Sequence, residues 1–412
     1  MIKLNPKDIQ PGKPEIIFPV EWSYRAVVDA TVADTLENLN KVLEKYQYIS
    51  KIEHIDKICM KNIAIFIPSL KPGGAEKQAT LLATTLDKLY KVDMYLLYGA
   101  DQAAPQNIAM LEASQVRVHS LTGNIVSKIF QLKRYLASNE TDILFNYLTS
   151  CDVIGAIAGR MAGVRSVYGG IRNTRVEPMK LLADKIAHNF IASGTVYNCY
   201  SGAAYFASKG YNAHRNIVIP NCFQQIAEPI TREDKPIKHI VTVGRFVPQK
   251  DYLTLLRTIA ELKKRRVDFV MDVVGYGNEE EHIRTWIKEY KLENCTQIHI
   301  RPDNVQEIVR SADIYLSTSL YEGTSNSIME ALNWSLPIVA TNVGDNDRLV
   351  IDGMNGTLCP IGDYKGLASA ILPLLDNAHL RNQYGSFSNK NLRENYSMEI
   401  FKQRYIQLIE NR

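Results

Sequence analysis

The sequence predicts an α/β protein built from two doubly wound parallel sheets that face a cleft, and three observations carry that prediction. At 412 residues the chain exceeds what one core organises. Short apolar runs alternate with amphipathic segments, the pattern of a parallel sheet covered by helices. The alternation lapses once, across polar Gln224 to Lys238 with Pro229 and Pro236, and then restarts.

In chain order, residues 1–60 stand outside the alternation. Val32, Leu36, Leu39, Leu43 and Tyr46 recur there at four and three spacing, one apolar stripe of a helix that packs on its own domain, on a partner or on a second copy. The first series begins with a strand over Asn62 to Pro68, a helix from Gly73 to Tyr90 and a strand over Val92 to Tyr98. It continues through Thr141 to Phe145, Ser166 to Tyr168, Phe190 to Ala192 and Asn216 to Pro220. The second series places strands at Lys238 to Val243, Phe269 to Val274, Thr296 to Ile300, Ala312 to Ser317 and Leu336 to Ala340. Ligands of open α/β sheets bind at the carboxyl ends of the strands, so the loops there are searched first.

Composition narrows the function classes. A net charge of +4 is too small to argue for nucleic acid. Cys59, Cys151, Cys199, Cys222, Cys295 and Cys359 lack metal spacing and read as reduced core residues of a cytosolic protein. Neither a signal peptide nor an apolar run of the roughly 18 residues that a spanning helix needs is evident.

Glu322 and Glu330 are the most informative pair, two carboxylates bracketing Gly-Thr-Ser-Asn-Ser-Ile-Met at the end of a predicted strand. With most of that stretch helical, a rise of about 1.5 Å per residue parts them by roughly 10 Å, which suits the two ends of an elongated ligand. Gly73-Gly74-Ala75-Glu76 opens a helix after the first strand, where glycines admit close approach and free amides attract anions. Gly244-Arg245 with Lys250 repeats that placement and adds two cations, a guanidinium fork and a compact ammonium that together suit a diphosphate. Gly275-Tyr276-Gly277 makes a tight turn, beside a ligand or purely structural. Asp345-Asn346-Asp347 has the spacing of a metal-binding pair, but its place late in an α/β unit argues against that role.

Taken in order, Gly73-Gly74-Ala75-Glu76, Gly244-Arg245 with Lys250, Gly275-x-Gly277, Glu322-x7-Glu330 and Asp352-Gly-Met-Asn-Gly356 resemble a retaining glycosyltransferase of family 4. The resemblance covers residues 61 to 412 and implies the GT-B architecture, two Rossmann-like domains about a central cleft. Its division would be an extension at 1–60, an acceptor domain at 61–225, a nucleotide-sugar domain at 226–395 and a helix at 396–412 crossing back to the first domain. It implies that Arg245, Lys250 and Glu322 are catalytic. Donor contacts would come from Gly73, Gly74, Gly244, Thr324, Ser325, Asn326, Ser327 and Glu330, with Glu322 at the sugar and Glu330 at the ribose. The donor is a nucleoside diphosphate sugar, UDP ahead of GDP, and neither a metal nor a cofactor is required. Two positions depart from the pattern. Arg172, followed by Asn173, stands where relatives carry a histidine, which makes both candidates for an acceptor or phosphate contact. Gly344-Asp345 replaces a Gly-Gly.

The implied acceptor is a glycan or lipid-linked glycan, in polysaccharide or lipopolysaccharide synthesis. Lys128, Lys133, Arg134, Arg160, Arg165, Arg172, Arg175, Lys180 and Lys185 gather in the first domain, and Ile125 to Leu136 mixes apolar and cationic positions, as does an interfacial helix or a helix packed on its sheet with a solvated cationic face. The expected setting is therefore cytoplasmic, peripheral on an anionic inner leaflet, with self-association through residues 1–60 as a further expectation. A nucleotide-sugar epimerase, a glycan phosphorylase and a non-catalytic scaffold subunit share the architecture and stand as alternatives.

Overall fold

The computed structural model describes residues 60–171 and 178–411, with the side chains of 178–180 excepted. The first sixty residues except Met60, and Arg172, Asn173 and Arg175, lie outside the described residues, so the expectations placed on them stay as sequence readings.

Two parallel sheets organise the described residues. The first has seven strands: β1 (Asn62–Ile67), β2 (Lys91–Leu96), β3 (Arg117–Ser120), β4 (Ile143–Asn146), β5 (Ser166–Ile171), β6 (Gly194–Tyr197) and β7 (Asn216–Val218), in the order β3-β2-β1-β4-β5-β6-β7. The second has six: β8 (Lys238–Arg245), β9 (Phe269–Tyr276), β10 (Thr296–Ile300), β11 (Ile314–Ser317), β12 (Ile338–Thr341) and β13 (Gly356–Cys359), in the order β10-β9-β8-β11-β12-β13. Both sheets start in the middle and reverse direction beside their first strand, between β1 and β4 and between β8 and β11. Such switch points leave a crevice between diverging loops at the carboxyl ends of the strands.

The strands form where the apolar runs are, because burial on both faces calls for continuous Val, Ile, Leu and Phe. Ile63 to Ile67 are at most 1% exposed. One expected strand is displaced. Ala187–Ile191 is a π-helical turn, with Phe190 78% exposed, and the strand comes later at Gly194–Tyr197. The short apolar cluster at 190–192 gave no means of telling a helix end from a strand. β3 and β13 escape the sequence reading as well. β3 is a largely exposed edge of sequence Arg-Val-His-Ser, and β13 pairs only with β12.

The C-terminal helix Met398–Glu410 packs on the first sheet. Phe401, Tyr405 and Ile409 join its core, with Tyr405 edge-on to Phe145 at 5.4 Å. Lys61 donates to Ile409 O at 2.8 Å and pairs with Glu410 at 2.9 Å, closing the end of the chain on the start of β1. The irregular segment between the sheets is tied to the second one. The Arg232 guanidinium donates to the carbonyls of Ala312, Ser335, Arg310 and Trp334, and burial lowers its pKa to about 10. Cys151, Cys199, Cys222, Cys295 and Cys359 are buried, and Cys59 lies outside the described residues. Among the described residues, no helix is long and apolar enough to cross a membrane.

Candidate active site

A cavity of about 650 Å³ lies where the two switch points meet. The first sheet lines it with Gly74, Ala75 and Glu76 after β1, Leu148 after β4, and Tyr197 to Cys199 at the end of β6. The second contributes Arg245 and Gln249 after β8, and Tyr321 to Thr324 with Asn326 after β11.

The charged side is built from two loops bound to each other. Gln249 donates to Tyr321 O at 2.8 Å, Leu320 N–H returns a bond to Gln249 O at 2.8 Å, and Thr318 Oγ1 donates to Lys250 O at 2.9 Å. Lys250 Nζ is thereby held 2.5 Å from Glu322 Oε1, which also accepts from Ser319 Oγ at 2.8 Å. Lys250 and Glu322 are only 18% and 10% exposed, so removing either leaves a charge buried and uncompensated. Arg245 is exposed, and its guanidinium makes no hydrogen bond or ion pair among the described residues, leaving the fork free toward the cavity.

Helix Asn326–Asn333 begins four residues after Glu322, with Ser325 as its cap accepting from Ile328 N–H. The two glutamates therefore belong to different structures, Glu322 to a loop and Glu330 to a helix. Glu330 is half-buried, and its carboxylate has no hydrogen-bond partner among the described residues. Desolvation raises its pKa, and Lys77 across the cleft opposes the shift.

On the other wall, Gly73 caps helix Gly74–Leu86 in an extended conformation, and the Glu76 carboxylate folds back over it, 2.1 Å from where a Cβ would stand. Gly74 faces open space in the cavity. Leu148 adopts φ +70° and ψ 145° at the start of helix Thr149–Met161, a strained conformation for a residue with a Cβ.

Of the residues expected from sequence, the structure gathers Gly74, Arg245, Glu322, Thr324 and Asn326 on the cavity wall. Lys250 stands behind Glu322; Gly73, Gly244, Ser325, Ser327 and Glu330 support the lining residues from the same loops and helix starts. Leu148, Tyr197, Asn198, Gln249 and Tyr321 were missed. Gln249, inside the Arg245 to Lys250 motif, offered the one local signal. Gly275 and Gly277 take the structural option, since a Cβ on them would come within 1.9 Å of Gly244 O and 2.3 Å of Phe246 O. Asp345 has its carboxylate engaged by backbone amides of Tyr200 and Ser201, both at 2.7 Å.

Residues 224–391 match the family model of Glycosyl transferases group 1. The chain is similar to group 1 glycosyltransferases over that stretch, which spans the whole second sheet. It is 24% identical over 182 residues to the lipopolysaccharide core biosynthesis glycosyltransferase LpsE of Rhizobium meliloti, a match covering 44% of this chain and only about half, 52%, of that one. A longer match, 25% identical over 346 residues, covers 79% of the chain and 93% of the Campylobacter jejuni N-acetylgalactosamine-N,N'-diacetylbacillosaminyl-diphospho-undecaprenol 4-alpha-N-acetylgalactosaminyltransferase. Among solved structures, Anabaena HepE in complex with UDP superposes with a TM-score of 0.72 at 19% identity, over 86% of this chain and all of that one. The lipopolysaccharide outer core galactosyltransferase WaaB gives 0.70 at 14% identity, over 85% and 99%. The chain thus has the GT-B arrangement of these neighbours, two parallel α/β sheets about a cleft.

Several cations of its first domain turn out to be structural. Lys128 donates to Leu97 O at 2.6 Å, Lys185 to Lys209 O at 2.8 Å, and Arg160 to the carbonyls of Ile191, Val164 and Arg165. These side chains are thereby tied to backbone carbonyls of their own domain. Arg134 and Arg165 remain exposed. So do Ile125, Val126 and Phe130, on helix Ile125–Ser138, at 49%, 57% and 55%.

Proposed function

We propose that the protein is a retaining, metal-independent hexosyltransferase that moves a sugar from a UDP-sugar to a glycan or lipid-linked glycan. The observation that carries this is the Lys250–Glu322 pair, fixed at the second sheet's switch point beside the unpaired Arg245 guanidinium and opposite the open Gly74 helix start. A diphosphate in the cavity would take the Arg245 fork and one of the remaining ammonium protons of Lys250. Both then stabilise the charge that grows as the nucleotide departs. Glu322, oriented by Lys250 and Ser319, accepts hydrogen bonds from sugar hydroxyls, while Glu330 accepts from the ribose. The first domain presents the acceptor hydroxyl, whose attack is coupled to that departure.

UDP is favoured because Anabaena HepE was solved with UDP and with UDP-glucose. A lipid-linked acceptor is favoured by the name of the Campylobacter relative and by the exposed Ile125, Val126 and Phe130 beside Lys133 and Arg134, as at an anionic leaflet. Retention and independence of metal rest on the family resemblance. Arg172, Asn173 and residues 1–60 keep their candidate roles in acceptor binding and self-association.

Thermal-shift titration with UDP-, GDP- and ADP-sugars tests the donor, with stabilisation by a UDP-sugar expected. No shift with any of them would overturn the reading. Cosedimentation with phosphatidylglycerol vesicles at low salt tests the membrane part, which fails if the protein stays in the supernatant.

A further inference from the structure

Asp345 occupies a position that the proposed chemistry does not use. It is 2% exposed, and its carboxylate crosses the cleft to the first domain. Oδ2 accepts from Tyr200 N–H and Oδ1 from Ser201 N–H, both at 2.7 Å. These are the first two amides of helix Tyr200–Ser208, whose cap position is Cys199 and whose own cap side chain makes no bond to them. An acid from the second domain thus supplies the N-terminal charge that this helix lacks locally.

Two more contacts hold the same stretch of first-domain backbone. Thr324 Oγ1 donates to Asn198 O at 3.1 Å, and the Arg348 guanidinium lies 4.3 Å from the centre of the Tyr200 ring. On its own side, Asp345 N–H donates to Gly323 O at 3.1 Å. Gly344 before it has φ +58° and lies so close to Glu322 O that a Cβ would come within 2.4 Å. The loop carrying Asp345 is therefore seated directly on the backbone of Glu322 and Gly323, and Thr324 continues that backbone.

From this we infer that Asp345 is a positioning residue, a latch that couples closure of the two domains to the placement of the Glu322 loop. The inference rests on the proposed role of Glu322 at the donor sugar. When the domains close, the helix amides draw in Asp345, and Gly323 is set through the Asp345 N–H bond. When they part, the carboxylate loses both amides and the loop loses its outside support. The same geometry gives a physical account of the Asp-x-Asp spacing, because the first acid is engaged by backbone.

The test compares wild type with Asp345→Ala and with Asp345→Asn, which keeps one acceptor oxygen. Small-angle scattering without ligand and with saturating UDP reads domain separation independently of turnover. Asp345→Ala is expected to show a larger radius of gyration than wild type without ligand, with Asp345→Asn between them. In steady-state transfer, kcat should fall tenfold or more for Asp345→Ala, and partly recover in Asp345→Asn, while the Kd for UDP changes less than threefold. Superposable ligand-free scattering curves, or an unchanged kcat, would overturn the latch. Should Asp345→Ala fail to fold, Asp345→Asn alone decides on the same two readouts. If wild type transfers no sugar, the proposed function fails, but the scattering comparison still judges the latch.

Discussion

The two sheets share a winding order and differ in what they place at the switch point. Beside β1 and β4, the first sheet offers an open glycine, a carboxylate folded back on its own helix and a strained leucine. Beside β8 and β11, the second offers Arg245, Lys250 and Glu322, braced by hydrogen bonds between the two loops. One scaffold thus serves two tasks, because the tasks reside in the loops. Charge is concentrated on the second sheet, where the proposed function puts a departing diphosphate, and the facing wall is left to shape.

The largest expected effect breaks that asymmetry outright. Lys250→Ala should lower transfer by about 10²–10³-fold, the scale of losing one stabilising donor at a developing anion. Glu322→Ala should do likewise, and the double variant should lose much less than the product of the two, since each partner's role depends on the other. Near-normal kcat/KM in either single variant, with circular dichroism showing a folded protein, would defeat the assignment. Arg245→Ala comes next. It should weaken UDP binding by about tenfold to a hundredfold by calorimetry, the loss of about 1.5–3 kcal/mol in a charged hydrogen bond. With no hydrogen bond or ion pair of its guanidinium to lose among the described residues, it should leave Tm nearly unchanged.

Gly275→Ala probes the scaffold of the second sheet. A Cβ there would meet Gly244 O at 1.9 Å, so urea denaturation should show a loss of about 1–3 kcal/mol from overpacking. A neutral result would mean that β8 and β9 can part without cost.

The smallest effects are pH-dependent, and both lower stability as pH rises, one through a charged form that destabilises and the other through a charged form that stabilises. The Glu330 carboxyl is raised above its ordinary 4.5 by burial, so its charged form destabilises the ligand-free fold at neutral pH, and that cost vanishes as pH falls below 4.5. Glu330→Gln should therefore raise the ligand-free Tm at pH 7.5 and leave it nearly unchanged at pH 4, while weakening nucleotide binding. His239 is raised above its ordinary 6.5, chiefly by its 2.7 Å hydrogen bond to Asp272. Its stabilisation is complete below 6.5 and is lost as pH climbs through the folded value, so wild type should lose slightly more Tm from pH 6 to 8.5 than His239→Asn. Equal slopes would remove that contribution.

Most of the architecture was legible in the sequence, because strands buried on both faces must be continuous apolar runs and switch-point loops must come after them. The exceptions have physical reasons: β3 is a polar edge strand, and Phe190 is an exposed aromatic in a π-helical turn. The clustering of charge at the second sheet's switch point was legible as well, since Arg245, Lys250, Glu322 and Glu330 lie within two short motifs. Leu148 and Tyr197 were not, because no local pattern reports which strand ends from different parts of the chain come to share a cavity.

By itself, then, the sequence determined which loops carry charge and on which side of a parallel sheet they emerge, since both derive from local periodicity. Only the tertiary structure decided what those groups touch. Lys250 meets Glu322 across 72 positions and Asp345 meets the Tyr200 amide across 145, and such partners are chosen by the packing of whole elements rather than by neighbours in the chain.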